Sequence, residues 1–285
     1  MPPRLRLFLM LAPAVGVIGL LFGSGLIVAL MRSLNYMPVI GLNDPSFAAY
    51  VRVLTSPDFL AAFLLTFHIA FTSTLLSAII AIAAALLLRR TFPGRGLANV
   101  LFQLNLTIPH IVGAIGILYL FSQSGSFARL GHAAGLIARP ADFPALVFDP
   151  AAIGIILHYV WKEVPFIGLI VLAQMQTIGT DHESTARALG ASPWQAFRHA
   201  LLPMILPGVT AASVICFAFA FGAYEIPALL GASYPQALPV LAYRSFTDVD
   251  LNSRPDAMAM AVIITLISAA LIQVYTRALR AMVQR

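Results

Sequence analysis

Residues 59–88 read FLAAFLLTFHIAFTSTLLSAIIAIAAALLL, thirty positions without a charge, closed by Arg89-Arg90. A helix needs roughly 20 mainly apolar residues to cross ~30 Å of hydrocarbon. This stretch exceeds that length, and its apolar positions do not alternate with period two as a barrel strand would require. Five further runs have the same character: Leu7–Met31, Leu97–Phe121, Ala151–Ile178, Leu201–Ala223 and Ala257–Val274. The expectation is an all-α, polytopic membrane protein with six transmembrane helices.

Composition agrees. Of 285 residues, 60% are hydrophobic and 10% charged, against roughly 45–50% and about 25% in soluble chains. A water-soluble enzyme, a disordered chain and a disulfide-stapled secreted fold are excluded on those grounds. Arg4 and Arg6 precede the first run, which is longer than the ~7–15 apolar residues of a signal peptide and reads as a retained anchor. The net charge of +6 comes from arginines in ones and twos at the ends of apolar runs, with Lys162 the single lysine. That placement suits topology signals and not a nucleic-acid patch. Cys216 is the lone cysteine, so no intrachain disulfide forms. No G-x-x-x-x-G-K-[ST] stretch occurs, so the chain has no phosphate loop of its own.

Six spans put both termini on one side. Arginines 4, 6, 89, 90, 95, 187, 198, 277, 280 and 285 fall there, against 32, 52, 129, 139, 244 and 254 opposite. Ten against six places both termini in the cytoplasm. The loops Arg32–Asp58, Gln123–Pro150 and Leu230–Asp256 then face outward. With no internal repeat, the chain divides into 1–58 (cytoplasmic start, first helix, external segment) and a core of five helices over 59–280, containing a cytoplasmic loop at 179–203.

That loop reads GTDHESTARALGASPWQAFRHALLP from Gly179 to Pro203. Thr180 and Glu183 have the T-x-x-E spacing of a capping box opening a first helix through Ala188 or Leu189. Gly190 ends it, as the residue that accepts a left-handed backbone. Ser192, Pro193 and Gln195 open a second helix as N-cap, first-turn proline and capping-box partner. The product is a rigid element suited to docking, or a well-capped connector.

These residues resemble the cytoplasmic EAA motif, E-A-A-x(3)-G-x(9)-I-x-L-P, of permease subunits of binding-protein-dependent ABC importers. Aligned on Gly190, with Ala191 and Ser192 following it, the closing Leu-Pro falls on Leu202-Pro203. Ser184 stands at the opening glutamate, Thr185 and Ala186 at the alanines, and Ala200 at the isoleucine; Glu183 sits one residue early. Within that family, Gly222–Gly231 and Ala237–Tyr243 look most like the spermidine/putrescine-type permeases, whose related branches carry ferric iron, thiamine, sulfate or aminophosphonates. The resemblance implies the ABC type I importer permease fold in a bacterial inner membrane, and residues 180, 183–186, 190–192, 202 and 203 as the ATPase-coupling set. It implies as partners a second permease subunit (a heterodimer in preference to a homodimer), two cytoplasmic ATPases and an external solute-binding protein. The chain itself then carries no cofactor, since ATP and Mg belong to the ATPase, and no catalytic or metal site.

Ionisable groups inside spans are costly and mark functional candidates. Lys162 lies ~16 Å into the fourth run, near mid-membrane; Glu163 points ~100° away from it around the helix. Pro165 frees the carbonyl of Trp161 and is expected to kink the helix. Lys162 and Glu163 therefore line the pathway or pair with other helices. Glu225 and Tyr224 sit near the outer end of the fifth run, where His158 matches Glu225 in depth better than Lys162 does. His68, His110 and His158 lack the i,i+4 partners of a metal site. An ion-gradient-driven secondary transporter would need coupling carboxylates and inverted repeats, and an intramembrane enzyme a motif such as H-E-x-x-H. Only Glu163 meets any of these requirements.

The arginine count makes a direct prediction. A cysteine placed in residues 89–96 is expected to be labelled by an impermeant maleimide only from the cytoplasmic side, and one in 230–256 only from outside. Reversed labelling at both places would overturn the orientation.

Overall fold

The structure is a computed structural model that describes residues 3–283. In chain order its helices are α1 (Pro3–Ser33), α2 (Ala48–Thr55), α3 (Pro57–Leu88), α4 (Arg95–Thr107), α5 (His110–Phe121), α6 (Ser126–Ala133), α7 (Ile153–Ile178), α8 (Asp181–Ala188), α9 (Pro193–Ala196), α10 (Leu202–Gly222), α11 (Glu225–Leu230), α12 (Leu238–Thr247) and α13 (Arg254–Val283). A π turn, Phe197–Leu201, joins α9 to α10. Among the described residues there is no β-strand, only a bridge between Met37 and Leu42. Of the arginines used for topology, Arg285 and the side chains of Arg4 and Arg280 lie outside the described residues.

Among the described residues, six helical stretches are long and apolar enough to cross a membrane: Leu5–Ser33, Pro57–Leu88, His110–Ala133, Ile153–Ile178, Pro193–Gly222 and Leu251–Val274. Five coincide with expected runs. The third corrects the sequence reading, which drew one helix over Leu97–Phe121. The chain instead ends α4 at Thr107 and starts α5 at His110, with Ile108 (φ −77°, ψ 126°) and Pro109 (φ −57°, ψ 143°) extended between them. The cause is local. Proline's ring crowds the residue before it out of the helical region, and proline has no N–H for the ladder.

By internal packing the chain forms two compact units, Met1–Leu60 with Leu238–Leu266, and Ala61–Ala237 with Ile267–Arg285. In the first, the Tyr50 hydroxyl donates to Ser33 Oγ at 2.9 Å, and the Arg52 guanidinium grips the Asp256 carboxylate at 2.6 Å and reaches Asn35 Oδ1 at 3.2 Å. The stretch Leu5–Ser33 buries none of its most apolar window within the chain. In the second unit, Ile167, Val171 and Met175 of α7 pack with Ile205, Val209 and Ala212 of α10 and with Ala81 and Ala85 of α3. The contact of α4 with α7 is close at Gly168, where an added Cβ would stand 2.6 Å from the Phe102 ring.

Two prolines leave carbonyls without helical partners, and the same two side chains meet them. Lys162 Nζ donates to the carbonyls of Asn105 at 2.8 Å and Ile108 at 2.7 Å, at the broken end of α4. Pro165 cannot donate to Trp161 O, four residues back on α7, and the Asn105 side-chain amide donates to that carbonyl instead. α7 therefore runs unbroken from Ile153 to Ile178 with Pro165 inside it. A buried polar group without a partner costs about 1–3 kcal/mol. Lys162→Met is expected to orphan the Ile108 carbonyl, to leave Asn105 O with the Ile108 N–H alone, and to lower the thermal midpoint of the detergent-purified protein. Asn105→Leu should do the same, and the pair should be less than additive because both serve one junction. A Lys162→Met protein of unchanged midpoint would show that the junction is satisfied some other way.

Candidate functional site

The loop at 179–203 is built as two punctuated helices. α8 ends in a Schellman turn: Gly190 N–H donates to Arg187 O at 3.0 Å and Ala191 N–H to Ala186 O at 3.0 Å. Gly190 holds φ +91°, a conformation that costs a residue with a Cβ roughly 1–2 kcal/mol. The second capping box forms as expected. Ser192 N–H donates to Gln195 Oε1 at 2.8 Å and Gln195 N–H to Ser192 Oγ at 3.3 Å, with Pro193 in the first turn.

The first capping box does not form, which corrects the reading of Thr180 and Glu183. Thr180 stands at the N-cap in a helical conformation (φ −111°, ψ −4°), and its side chain caps nothing. Glu183 is engaged elsewhere. Its carboxylate takes a two-pronged bond from Arg89, just past α3, with Nη1 to Oε2 at 2.6 Å and Nη2 to Oε1 at 2.8 Å. Both side chains are largely shielded from solvent, at 25% and 15% exposure. The forked geometry adds direction as well as energy to the pair. α8 is thus pinned to the end of a spanning helix, while α9 and the π turn run directly into α10 through Leu202-Pro203.

The outer surface of this loop is mixed. Ser184, Thr185 and Ser192 are exposed and Ala186 and Ala191 half-buried, while the apolar side chains of Leu189 and Trp194 are 86% and 63% exposed.

Deeper in the second unit lies a cavity of about 380 Å³ lined by Thr107, Pro109, His110, Lys162, Glu163, Phe166 and Phe219 among others. The break at 108–109 forms one wall. Lys162 and Glu163 are both buried, and the ammonium lies 5.7 Å from the Trp161 ring centre. An ammonium has three N–H donors, and Lys162 commits two of them to carbonyls. Neither carboxylate oxygen of Glu163 meets a donor at full hydrogen-bond geometry; the hydroxyls of Ser73 and Ser77, a turn apart on α3, are its polar neighbours. His158 is fully buried among the rings of His110 (5.7 Å), Tyr159 (5.7 Å) and Trp161 (6.0 Å), with both ring nitrogens unpartnered. The expected match of His158 with Glu225 therefore makes no hydrogen bond. Glu225 is the exposed first residue of α11, with Tyr224 at its N-cap.

Sequence reasoning overlooked Arg89, Asn105, Ser73 and Ser77, and took up His110 only as a metal-ligand candidate. Arg89 had been counted only as a topology signal. Asn105 was open to detection, because an amide four residues before a proline in an apolar run marks a helix end that needs donors and acceptors. Ser73 and Ser77 share a helical face at i,i+4 spacing, a weaker signal.

Residues 77–285 match the family described as binding-protein-dependent transport system inner membrane component. The molybdenum transport system permease protein ModB of Mycobacterium tuberculosis is 29% identical over 76% of this chain and 78% of its own length. The sulfate transport system permease protein CysT of Escherichia coli is 26% identical over 79% and 78%. A probable ABC transporter permease protein of Sinorhizobium fredii is 32% identical over 70% and 65%. Among solved structures, a bacterial ABC transporter involved in importing the acidic polysaccharide alginate aligns with TM-score 0.80 over 97% of this chain and 95% of that one, at 20% identity. The MetNI methionine ABC transporter aligns with TM-score 0.58 over 78% and 95%, at 21% identity. With six membrane-length helices in the ABC type I importer permease fold, this chain belongs to the inner-membrane components of binding-protein-dependent transport systems.

Proposed function

We propose that this chain is the permease half of an ATP-driven importer whose residues 179–203 seat on a cytoplasmic ATPase and whose solute is a small oxyanion. The loop carries the first part of this reading. It is a short helix locked at one end by the Arg89–Glu183 fork and at the other by the Gly190 turn and the Ser192–Gln195 box. A segment held at both ends moves as a unit, and exposed Leu189 and Trp194 give a partner groove something apolar to grip. ATP and Mg then act on the ATPase, and force reaches this chain through contact alone. A second, different permease subunit and an external binding protein complete the assembly, with both termini of this chain in the cytoplasm.

The solute class follows the relatives named for molybdenum and sulfate transport. The polyamine-type expectation finds no support among them, and the cavity offers a polycation one carboxylate, Glu163. A tetrahedral oxyanion would find the third N–H of Lys162 and the His110 ring at the cavity wall. In neutral proteoliposomes reconstituted with the complex co-purified on a tag in mild detergent, uptake of labelled sulfate or molybdate is expected to need ATP and to stop with vanadate. Uptake of spermidine instead would overturn the solute class. Ionophore-sensitive uptake without ATP would overturn the class of transporter.

Gly190→Val tests the loop separately. The variant should insert all its spans yet fail to retain the ATPase on purification, abolishing uptake, because a β-branched side chain does not hold φ +91°. Ser192→Ala should lose about 0.5–2 kcal/mol of capping and retain part of the activity. A fully active Gly190→Val complex would reduce the loop to a connector.

A further inference from the structure

The loop end of the second unit holds a second cavity, apart from the one at mid-membrane. It measures about 550 Å³ and is lined by Arg89, Arg90, Thr91, Arg95, Gln176 and Thr180 among others. Three arginines thus line one space whose lining includes no carboxylate. Arg95 uses its Nε–H on Leu88 O at 2.9 Å, and its four terminal N–H groups have no partner among the described residues. Arg90 is exposed and makes no ion pair there. The space also opens on the start of α8, through Gly179 and Thr180. The Thr180 side chain does not cap that helix, whose first turn carries Asp181 and Glu183.

We infer that this cavity is an anion site for a tetrahedral oxyanion such as a phosphate group, and that its occupant competes with Glu183 for Arg89. The chemistry is that of phosphate recognition: planar forks of N–H donors on a space whose lining holds no carboxylate. Arg89 belongs to both structures. Its two terminal nitrogens hold Glu183 at 2.6 and 2.8 Å, and it lines the cavity from the same side. An oxyanion drawn in by Arg90 and Arg95 repels the Glu183 carboxylate and offers Arg89 another charged acceptor. The fork turns from Glu183 to the anion, and α8 loses its tie to α3. Occupancy of the site thereby loosens the element proposed above to seat on the ATPase. The anion site itself does not rest on that reading; only the consequence for coupling does.

The same chemistry has two sources, a free oxyanion in solution and the phosphodiester of an anionic lipid. The full chain in neutral detergent is titrated with sodium phosphate at constant ionic strength, followed by thermal midpoint. A saturable rise is expected. Arg90→Ala/Arg95→Ala should weaken the apparent affinity by roughly tenfold or more, through loss of charge-assisted bonds. Arg90→Lys/Arg95→Lys should recover part of it, which guards against a folding defect in the alanine pair. Glu183→Gln should bind phosphate more tightly than wild type, a result that a purely structural cluster would not produce. Spin labels at Leu189→Cys and Phe92→Cys should move apart on adding phosphate, and should not in the alanine pair. In phosphatidylcholine nanodiscs with and without phosphatidylglycerol, a phosphate response abolished by phosphatidylglycerol assigns the site to lipid; a response unchanged by it assigns the site to the free anion. No midpoint response to either, or an equal response in the alanine pair, would overturn the site. Phosphate binding with tightness unchanged by Glu183→Gln and a fixed label distance would overturn the competition.

Discussion

Hydrocarbon offers a backbone carbonyl no hydrogen bond, so a helix broken at membrane depth survives only where side chains replace the missing donors. The pair Lys162 and Asn105 meets that condition for the second unit. Pro109 interrupts the third apolar run and Pro165 withdraws an N–H from α7, and the two interruptions face each other. Lys162 closes the end of α4, and Asn105 closes the gap that Pro165 leaves at Trp161. Remove that exchange and both helices carry orphaned carbonyls. Lysine suits the task because its ammonium has three donors at the end of a long stem. Two go to the backbone, which leaves one for the cavity that the break itself creates. The pathway and structural roles weighed for Lys162 are therefore compatible.

How much of this could be read in the sequence follows from how local each feature is. Hydropathy is summed over some twenty residues, so five of six spans were legible. The third was misplaced because a window that wide runs straight across Ile108-Pro109, although the pre-proline rule is a statement about one residue. In the loop, Gly190 and the Ser192–Gln195 box were legible, since every atom involved lies within a few residues. Thr180 and Glu183 carry an equally good local signature, but Arg89, 94 positions away, presents two charged donors where the capping box offers a single backbone N–H. A charged fork outcompetes a neutral cap. No spacing rule contains that contest. The burial of His158 and Glu163 was likewise beyond reach, because it depends on which faces of α3, α5 and α7 meet.

The relatives redirect the solute reading for a related reason. The stretches Gly222–Gly231 and Ala237–Tyr243 suggested polyamine-type permeases, and none of their residues is among those lining the cavity. Likeness in such segments reports on shared scaffolding. On the function proposed above, solute chemistry would be expressed at the cavity wall, with Lys162 and His110 against the single carboxylate of Glu163.

The loop is tied to the membrane helices by links of unequal strength. Toward α10 the connection is covalent and helical, through α9 and the π turn. Toward α3 it is one ion pair, Arg89–Glu183, partly shielded from solvent. Exposed pairs of this kind contribute about 0–1 kcal/mol, and shielding with forked geometry raises that figure without approaching the stiffness of a continuous helix. On the docking proposed above, a load at Leu189 or Trp194 would reach α10 along the chain and α3 through the Arg89 fork. Whatever alters that fork, through salt, a competing anion or a substitution, changes how far α8 travels before α3 must follow. The weaker of the two links is the one open to adjustment, and it is the one that the sequence spacing did not disclose.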